Sequence, residues 1–227
     1  MSRAAAILFD LDGTLLDTAP DMIGALNRLR VEHGREPLPL AEARAHVSHG
    51  ALRLVRLGFP DVHDDGLEPL RQRFLELYAA NLADGTCLFP GIDRVLATLE
   101  AERLPWGVVT NKPGWLTDPL LDRLGLYERA CCVVSGDTLA ERKPHPLPLL
   151  HAAQATGVSP AHCVYVGDAE RDIVAGRAAG MQTVVAAYGY LSPEDQPLLW
   201  NLHGVVDRPE ELLDWVTLRH LVATETP

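Results

Sequence analysis

The chain has 227 residues, 47% of them hydrophobic, with a formal net charge of -11 and a pI near 5.2. That is long and apolar enough for a full core plus an inserted subdomain, which excludes a disordered chain. The acidic balance offers no basic face to offset a phosphate backbone, so nucleic acid is not an expected partner. The start, Met1-Ser2-Arg3-Ala4, leads into an apolar run too short for a signal-peptide core or a bilayer span. A cytoplasmic protein with no membrane partner is expected. Cys87, Cys131, Cys132 and Cys163 lie in or beside apolar runs without zinc-ligand spacing and read as buried, reduced thiols.

Residues 4–9 form an apolar run fit for one buried strand, and it stops at Asp10-Leu11-Asp12-Gly13-Thr14. At the carboxyl end of a parallel strand, residues spaced by two point to one side, so Asp10 and Asp12 crowd one volume and need a cation or a proton between them. A plain Asx turn accounts for the same residues; a calcium loop does not, because Leu15 stands where that loop needs glycine.

From residue 17 to about residue 86 the period is helical, with no good strand. Thr18 or Asp17 caps a first helix with Pro20 in its first turn, an apolar face of Met22, Ala25, Leu26 and Leu29, and Gly34 at its end. A second segment covers 41–47, the turn signal Ser48-His49-Gly50 follows, a third helical run reaches Gly58, and Leu67, Leu70, Phe74, Leu77 and Tyr78 mark a longer helix. His46, Ser48 and His49 lie in the polar kink of this stretch. They suit a solvated turn, or a loop that hangs over a site and meets the hydroxyls or carboxylate of a ligand.

Beyond Phe89-Pro90-Gly91 the pattern alternates. A helix over Ile92–Leu99 precedes a strand at 106–109 that ends in Thr110-Asn111-Lys112-Pro113. A helix to Leu124 is stopped by Gly125, a strand at 131–134 follows, and then the loop Arg142-Lys143-Pro144 and a helix through Leu149 and Ala153. A strand at 164–166 ends in Gly167-Asp168, with a helix from Ile173 to Ala179 after it. Strands at 183–187 and 205–206 follow, and Asp207 caps a last helix from Pro209.

Alternation of this kind implies right-handed crossovers, hence an α/β fold with a Rossmann-like parallel sheet flanked by helices and an inserted small α-helical cap domain. The boundaries read as a core of 1–16 and 87–227 with a cap of 17–86. Ligands of such sheets bind outside the carboxyl ends of the strands, where Asp10, Thr110, Lys143 and Asp168 converge. Some members keep plainer readings: Lys143 as a solvated loop lysine, Asp172 as a helix cap or a partner of Arg171, Arg177 as a surface residue, Trp115 and Tyr188 as packing.

Phe9-Asp10-Leu11-Asp12-Gly13-Thr14, Val109-Thr110-Asn111-Lys112, Lys143-Pro144 and Val166-Gly167-Asp168 through Asp172 resemble, in order, the four motifs of the haloacid dehalogenase (HAD) superfamily. The helical insertion resembles that superfamily's small cap. The resemblance implies a phosphatase in which Asp10 is the nucleophile and Asp12 the general acid and base. It implies Mg2+ held by Asp10, the Asp12 carbonyl and Asp168, with Asp172 at the metal site orienting its waters or Lys143. Thr110, Asn111 and Lys143 would hold phosphoryl oxygens, Gly13 and Thr14 complete the substrate-binding set of the first motif, and Ser48, His49 and Gly50 reach the substrate from the cap.

Overall the chain resembles the phosphoglycolate phosphatase group. Trp106 through Pro113, with Tyr188-Gly189-Tyr190, Pro193-Glu194-Asp195 and Val205-Val206-Asp207, is most similar to its N-acetylmuramic acid 6-phosphate phosphatase branch. Ser48-His49-Gly50 departs from the Gly-Asn-Gly of phosphoglycolate enzymes, which favours a sugar phosphate. The expectation is a small phosphorylated metabolite as partner of a monomer or homodimer. A 2-phosphoglycolate phosphatase is the alternative, and a sugar phosphomutase or a non-catalytic phosphosugar-binding module are further ones.

Overall fold

The computed structural model describes residues 4–216. Six strands form one parallel sheet in the order β5-β4-β1-β6-β7-β8. They are β1 (Ala6–Phe9), β4 (Trp106–Val109), β5 (Val133–Val134), β6 (Cys163–Gly167), β7 (Gln182–Ala186) and β8 (Gly204–Val206). β1 lies between β4 and β6, with Ile7 opposite Trp106 on one side and Val164 on the other.

The strands are apolar throughout because both faces of the sheet are covered. Successive side chains alternate between two cores: Ile7, Phe9, Val108, Val164 and Val166 belong to one, and Ala6, Leu8, Val109, Cys163 and Tyr165 to the other. Helices α5 (Ile92–Ala101), α6 (Gly114–Arg123), α7 (Leu147–Thr156) and α8 (Glu170–Ala178) cover them.

The helical insertion consists of α1 (Ala19–Glu32), α2 (Leu40–Ala43), a 3-10 segment (Arg44–His49), α3 (Ala51–Gly58) and α4 (Asp64–Ala80). It carries its own apolar contacts, with Leu26, Leu54, Val55 and Phe74 all buried. Two short strands, β2 (Leu16–Asp17) and β3 (Cys87–Leu88), pair antiparallel where the chain leaves the core and returns. Asp21 strengthens the same crossing by accepting from the Gly85 N–H, the Thr86 N–H and the Thr86 hydroxyl.

Several elements differ from the sequence expectation. β2 and β3 were not expected, since two-residue strands carry no readable period. The 41–47 segment is a short α-helix that tightens into 3-10 turns. The strand expected at 131–134 pairs regularly only at Val133–Val134. Neither Thr18 nor Asp17 caps α1 with its side chain: the Thr18 hydroxyl donates to Asp12 and Asp17 is held by Arg44 and Tyr190. The last helix is a 3-10 run (Pro209–Trp215) without a side-chain cap from Asp207. All four cysteines are free thiols, but only Cys163 is buried, and Cys87 and Cys131 are exposed. Among the described residues no helix is long and apolar enough to cross a membrane.

Candidate active site

Three neighbouring strands deliver three polar groups to one edge of the sheet. Asp10 follows β1, Thr110 follows β4 and Asp168 is the residue after β6; all three are buried. The sheet order reverses at β1, so the crevice a parallel sheet opens at such a point lies over Asp10.

Asp10 Oδ1 accepts the Leu11 N–H at 2.7 Å and lies 2.8 Å from Lys143 Nζ. The same ammonium is 2.8 Å from Asp172 Oδ1 and donates to the Val109 carbonyl at 2.9 Å and the Tyr165 hydroxyl at 2.7 Å. Lys143 is therefore the buried cation at the centre of the cluster, not a solvated loop lysine. Asp10 Oδ2 makes no hydrogen bond among the described residues; its near neighbour is Arg171 Nη2 at 3.7 Å.

Burial pushes the Asp10 carboxyl up, but the charges of Lys143 and Arg171 and the bonds from Lys143 and the Leu11 N–H outweigh it and hold it below the usual range. Asp172 moves the other way, because burial and the Asp10 anion exceed the help of Lys143. Asp168 is pushed up to about 7 by burial, then by the Asp10 and Asp172 charges. Three carboxylates share one volume, and the protein neutralises it incompletely.

Asp168 Oδ2 accepts from the Ser48 hydroxyl at 2.5 Å and the Tyr190 N–H at 3.0 Å, whereas its Oδ1 is buried with no partner. The Ser48 hydroxyl also lies 3.4 Å from the Asp12 carbonyl. Asp10, Asp168 and Asp172 each offer an oxygen within 4.8 Å of the others. An all-oxygen donor set with an orphaned buried carboxylate oxygen fits a hard divalent cation such as magnesium. Both oxygens of Asp172 are already engaged, Oδ1 by Lys143 and Oδ2 by the Ala169 N–H at 3.1 Å.

Asp12 Oδ1 accepts from Lys112 Nζ and from the Thr18 hydroxyl, both at 2.7 Å. Lys112 sits 4.7 Å above the Tyr78 ring on α4; burial works against its charge, but Asp12 and Tyr78 keep its ammonium above the usual value. Asn111 turns its amide to the Lys143 main chain, donating to the carbonyl at 2.8 Å and accepting the N–H at 3.0 Å. It clamps the lysine loop against β4.

Gly13 and Thr14 do not line the cavity above the strand ends. The Leu11 carbonyl accepts from the N–H groups of Thr14, Leu15 and Leu16, a tight turn that carries the Thr14 side chain into the interior, where its hydroxyl has no partner. Gly13 has φ +84°, and a Cβ there would lie 2.0 Å from Asp168 Oδ2, so glycine makes room for the Ser48–Asp168 contact. The cavity itself is about 790 Å3; Asp10, Asp12, Thr110 and Lys143 form its floor, and Ser48, His49, Gly50, Arg71 and Tyr78 reach it from the insertion.

The sequence reading gave no role to Lys112, Tyr165, Arg171 or Tyr190. Lys112 and Arg171 stood inside recognised motifs, which was the available signal. Arg177 donates to His203 on the surface, Tyr188 donates to the Thr14 carbonyl and packs on Phe89, and Trp115 is exposed.

The sequence model of the haloacid dehalogenase-like hydrolases matches residues 7–186. A phosphoglycolate phosphatase of Xylella fastidiosa is 46% identical over 206 residues, covering 91% of this chain and 90% of its own. An N-acetylmuramic acid 6-phosphate phosphatase of Pseudomonas aeruginosa is 43% identical over 213 residues, covering 93% and 94%. A crystal structure from Haemophilus somnus described as a predicted phosphoglycolate phosphatase superposes with a TM-score of 0.82 at 26% identity, covering 94% of this chain and 98% of that one. Six parallel strands with the acidic cluster at their carboxyl ends agree with these likenesses, and the chain belongs to the haloacid dehalogenase-like hydrolases, as a phosphoric monoester hydrolase of the phosphoglycolate phosphatase-like group.

Proposed function

We propose that the chain hydrolyses a small phosphomonoester through an aspartyl-phosphate on Asp10, with N-acetylmuramic acid 6-phosphate as the preferred substrate. The observation that carries the mechanism is the asymmetry of Asp10: Oδ1 is pinned by Lys143 and the Leu11 N–H while Oδ2 has no hydrogen bond among the described residues. A carboxylate held ionised with one oxygen unengaged is poised to attack phosphorus.

Asp10 Oδ2 forms the new bond to phosphorus as the ester P–O bond breaks, and its electron pair leaves on the alkoxide, which takes a proton from Asp12. Water then attacks the phosphorus of the aspartyl-phosphate, Asp12 takes the proton of that water, and Asp10 is released with inorganic phosphate. Asp12 exchanges its contact with Lys112 for the leaving oxygen during this cycle. Thr110 holds a phosphoryl oxygen, Lys143, whose three donors are already taken up by Asp10, Asp172, the Val109 carbonyl and Tyr165, keeps Asp10 ionised, and Asn111 acts through the Lys143 loop. Asp10, the Asp12 carbonyl and Asp168 would hold magnesium, with Asp172 orienting Lys143 and metal waters; the ion, when bound, supplies positive charge to the phosphoryl oxygens. The insertion acts as a cap whose His49 and Gly50 face the non-reacting part of the substrate and whose closure excludes water, while the Ser48 hydroxyl is engaged on Asp168.

The 43% identity to an N-acetylmuramic acid 6-phosphate phosphatase supports the amino-sugar acid, and the open cleft of about 790 Å3 has room for it. The 46% identity to phosphoglycolate phosphatases favours 2-phosphoglycolate as the second reading. Phosphate release with magnesium, comparing kcat/KM for the two esters on one preparation, decides between them. A preference of about 100-fold or more for the sugar, or roughly 2.7 kcal/mol, is the expected result. An equal preference for phosphoglycolate overturns the substrate assignment and leaves the mechanism intact.

A further inference from the structure

Arg171, in the first turn of α8, has three-quarters of its side chain buried, and its Nε is buried without a partner. Among the described residues its guanidinium makes no hydrogen bond; it lies 3.7 Å from Asp10 Oδ2, beyond hydrogen-bond reach. Elsewhere in this chain the guanidinium fork closes on a carboxylate, as Arg44 does on Asp17 and Arg35 on Asp61, each through two bonds. Arg171 has Asp10, Asp168 and Asp172 all acting on it and yet closes on none of them.

The Arg171 Nε is a buried donor that needs an acceptor, and the Nη groups, free of hydrogen-bond partners among the described residues, are open to the space they face. The space it faces is the cavity over Asp10, and it also lines a smaller cavity of about 240 Å3 beside Asp168. The unengaged donors and the unengaged Asp10 oxygen thus border one gap. A tetrahedral oxyanion fits there: phosphorus approaches Oδ2, and oxygens on it fall within reach of a planar fork that matches phosphate through paired bonds.

We propose that Arg171 is a further catalytic residue, which binds oxygens of the phosphoryl group as it transfers to Asp10 Oδ2. This rests on the assignment of Asp10 as nucleophile. Lys143 and Arg171 then flank the reacting carboxylate, one at each oxygen. A role only as counter-charge to the three carboxylates is the competing reading.

The test uses Arg171→Gln and Arg171→Lys in the full chain, with thermal melting to verify folding. It has two readouts: calorimetric binding of inorganic phosphate in the presence of magnesium, and turnover of para-nitrophenyl phosphate. The expected result for Arg171→Gln is about tenfold or greater loss of phosphate affinity and about 10²- to 10³-fold loss of kcat, the usual size for one lost charge-stabilising donor group. Magnesium affinity measured without phosphate stays equal or tightens. Arg171→Lys recovers only part of both losses, because a point charge does not fork. Phosphate affinity and kcat within about threefold of wild type, with magnesium binding tightened, would establish the counter-charge role and overturn the proposal. Should Arg171→Gln fail to fold, Arg171→Lys decides by the same readouts, full retention of both overturning it. Wild-type protein that turns over no phosphomonoester breaks the phosphatase reading separately, and phosphate calorimetry still reports on Arg171.

Discussion

The floor and the roof of the cavity are built on different physical terms. On the floor, a buried ammonium lies 2.8 Å from two carboxylates, Asp10 fixed by the end of β1 and Asp172 by the first turn of α8. On the roof, the Arg71 fork rests on Glu68 of its own helix and is one-third exposed, and His49 lies in 3-10 turns. Ser48 carries a roof hydroxyl down to Asp168. On the proposed assignment, the reacting groups are held by buried ion pairs at the sheet edge, while the groups proposed to meet the rest of the substrate sit on partly exposed helices and turns.

Changes on the floor should therefore be severe. Asp10→Asn is expected to cost about 10⁴-fold or more in kcat with little change in melting temperature, as removal of a nucleophile does. Asp12→Asn should cost about 10²- to 10⁴-fold, read as the same drop in kcat and kcat/KM. Lys143→Met leaves Asp10 and Asp172 buried with only the more distant Arg171 as counter-charge and should cost about 3–5 kcal/mol in denaturant unfolding as well as activity. A Lys143→Met protein of wild-type stability would break the distinction between floor and roof.

The Asp168 carboxyl gives a pH test of the same contrast. Its value in the fold, about 7, is above its ordinary 3.8, so between those values the folded chain holds a proton that the unfolded chain has lost. Stability of the metal-free protein should then fall as pH rises through that window, by up to about 1.4 kcal/mol per unit. Magnesium, which needs the ionised form, should raise the melting temperature more at about pH 8 than at pH 5. The smallest effect belongs to the roof: Ser48→Ala should change unfolding free energy by about 1 kcal/mol, with magnesium binding unchanged or tighter. A large loss of magnesium affinity in that variant would make Ser48 part of the floor.

Most of the floor was legible because each of Asp10, Thr110 and Asp168 follows an apolar strand run directly, and a parallel sheet brings such ends together. The helices of the insertion were legible from period and their stop signals, Gly34 and Gly58. What escaped were pairings with no local trace. Lys112 meets Asp12 across 100 positions, and Ser48 meets Asp168 across 120. Tyr165 read as an ordinary strand residue, although its hydroxyl closes the Lys143 cluster. Gly189 carried no turn pattern, yet a Cβ there would come within 2.2 Å of the Gly13 carbonyl, so it is the close approach of two loops that requires it. The resemblance set Thr14 with the ligand, and the motif carries no trace of the turn that takes its hydroxyl into the interior.

The most direct test of Asp10 as the covalent site is to quench the enzyme in acid during turnover with magnesium and substrate, reduce with borohydride, and map the modified peptide by mass spectrometry. Reduction of an aspartyl-phosphate yields homoserine, and the expected result is homoserine at position 10 alone, dependent on substrate. Homoserine at another aspartate, or none anywhere under conditions of active phosphate release, would contradict the proposed mechanism.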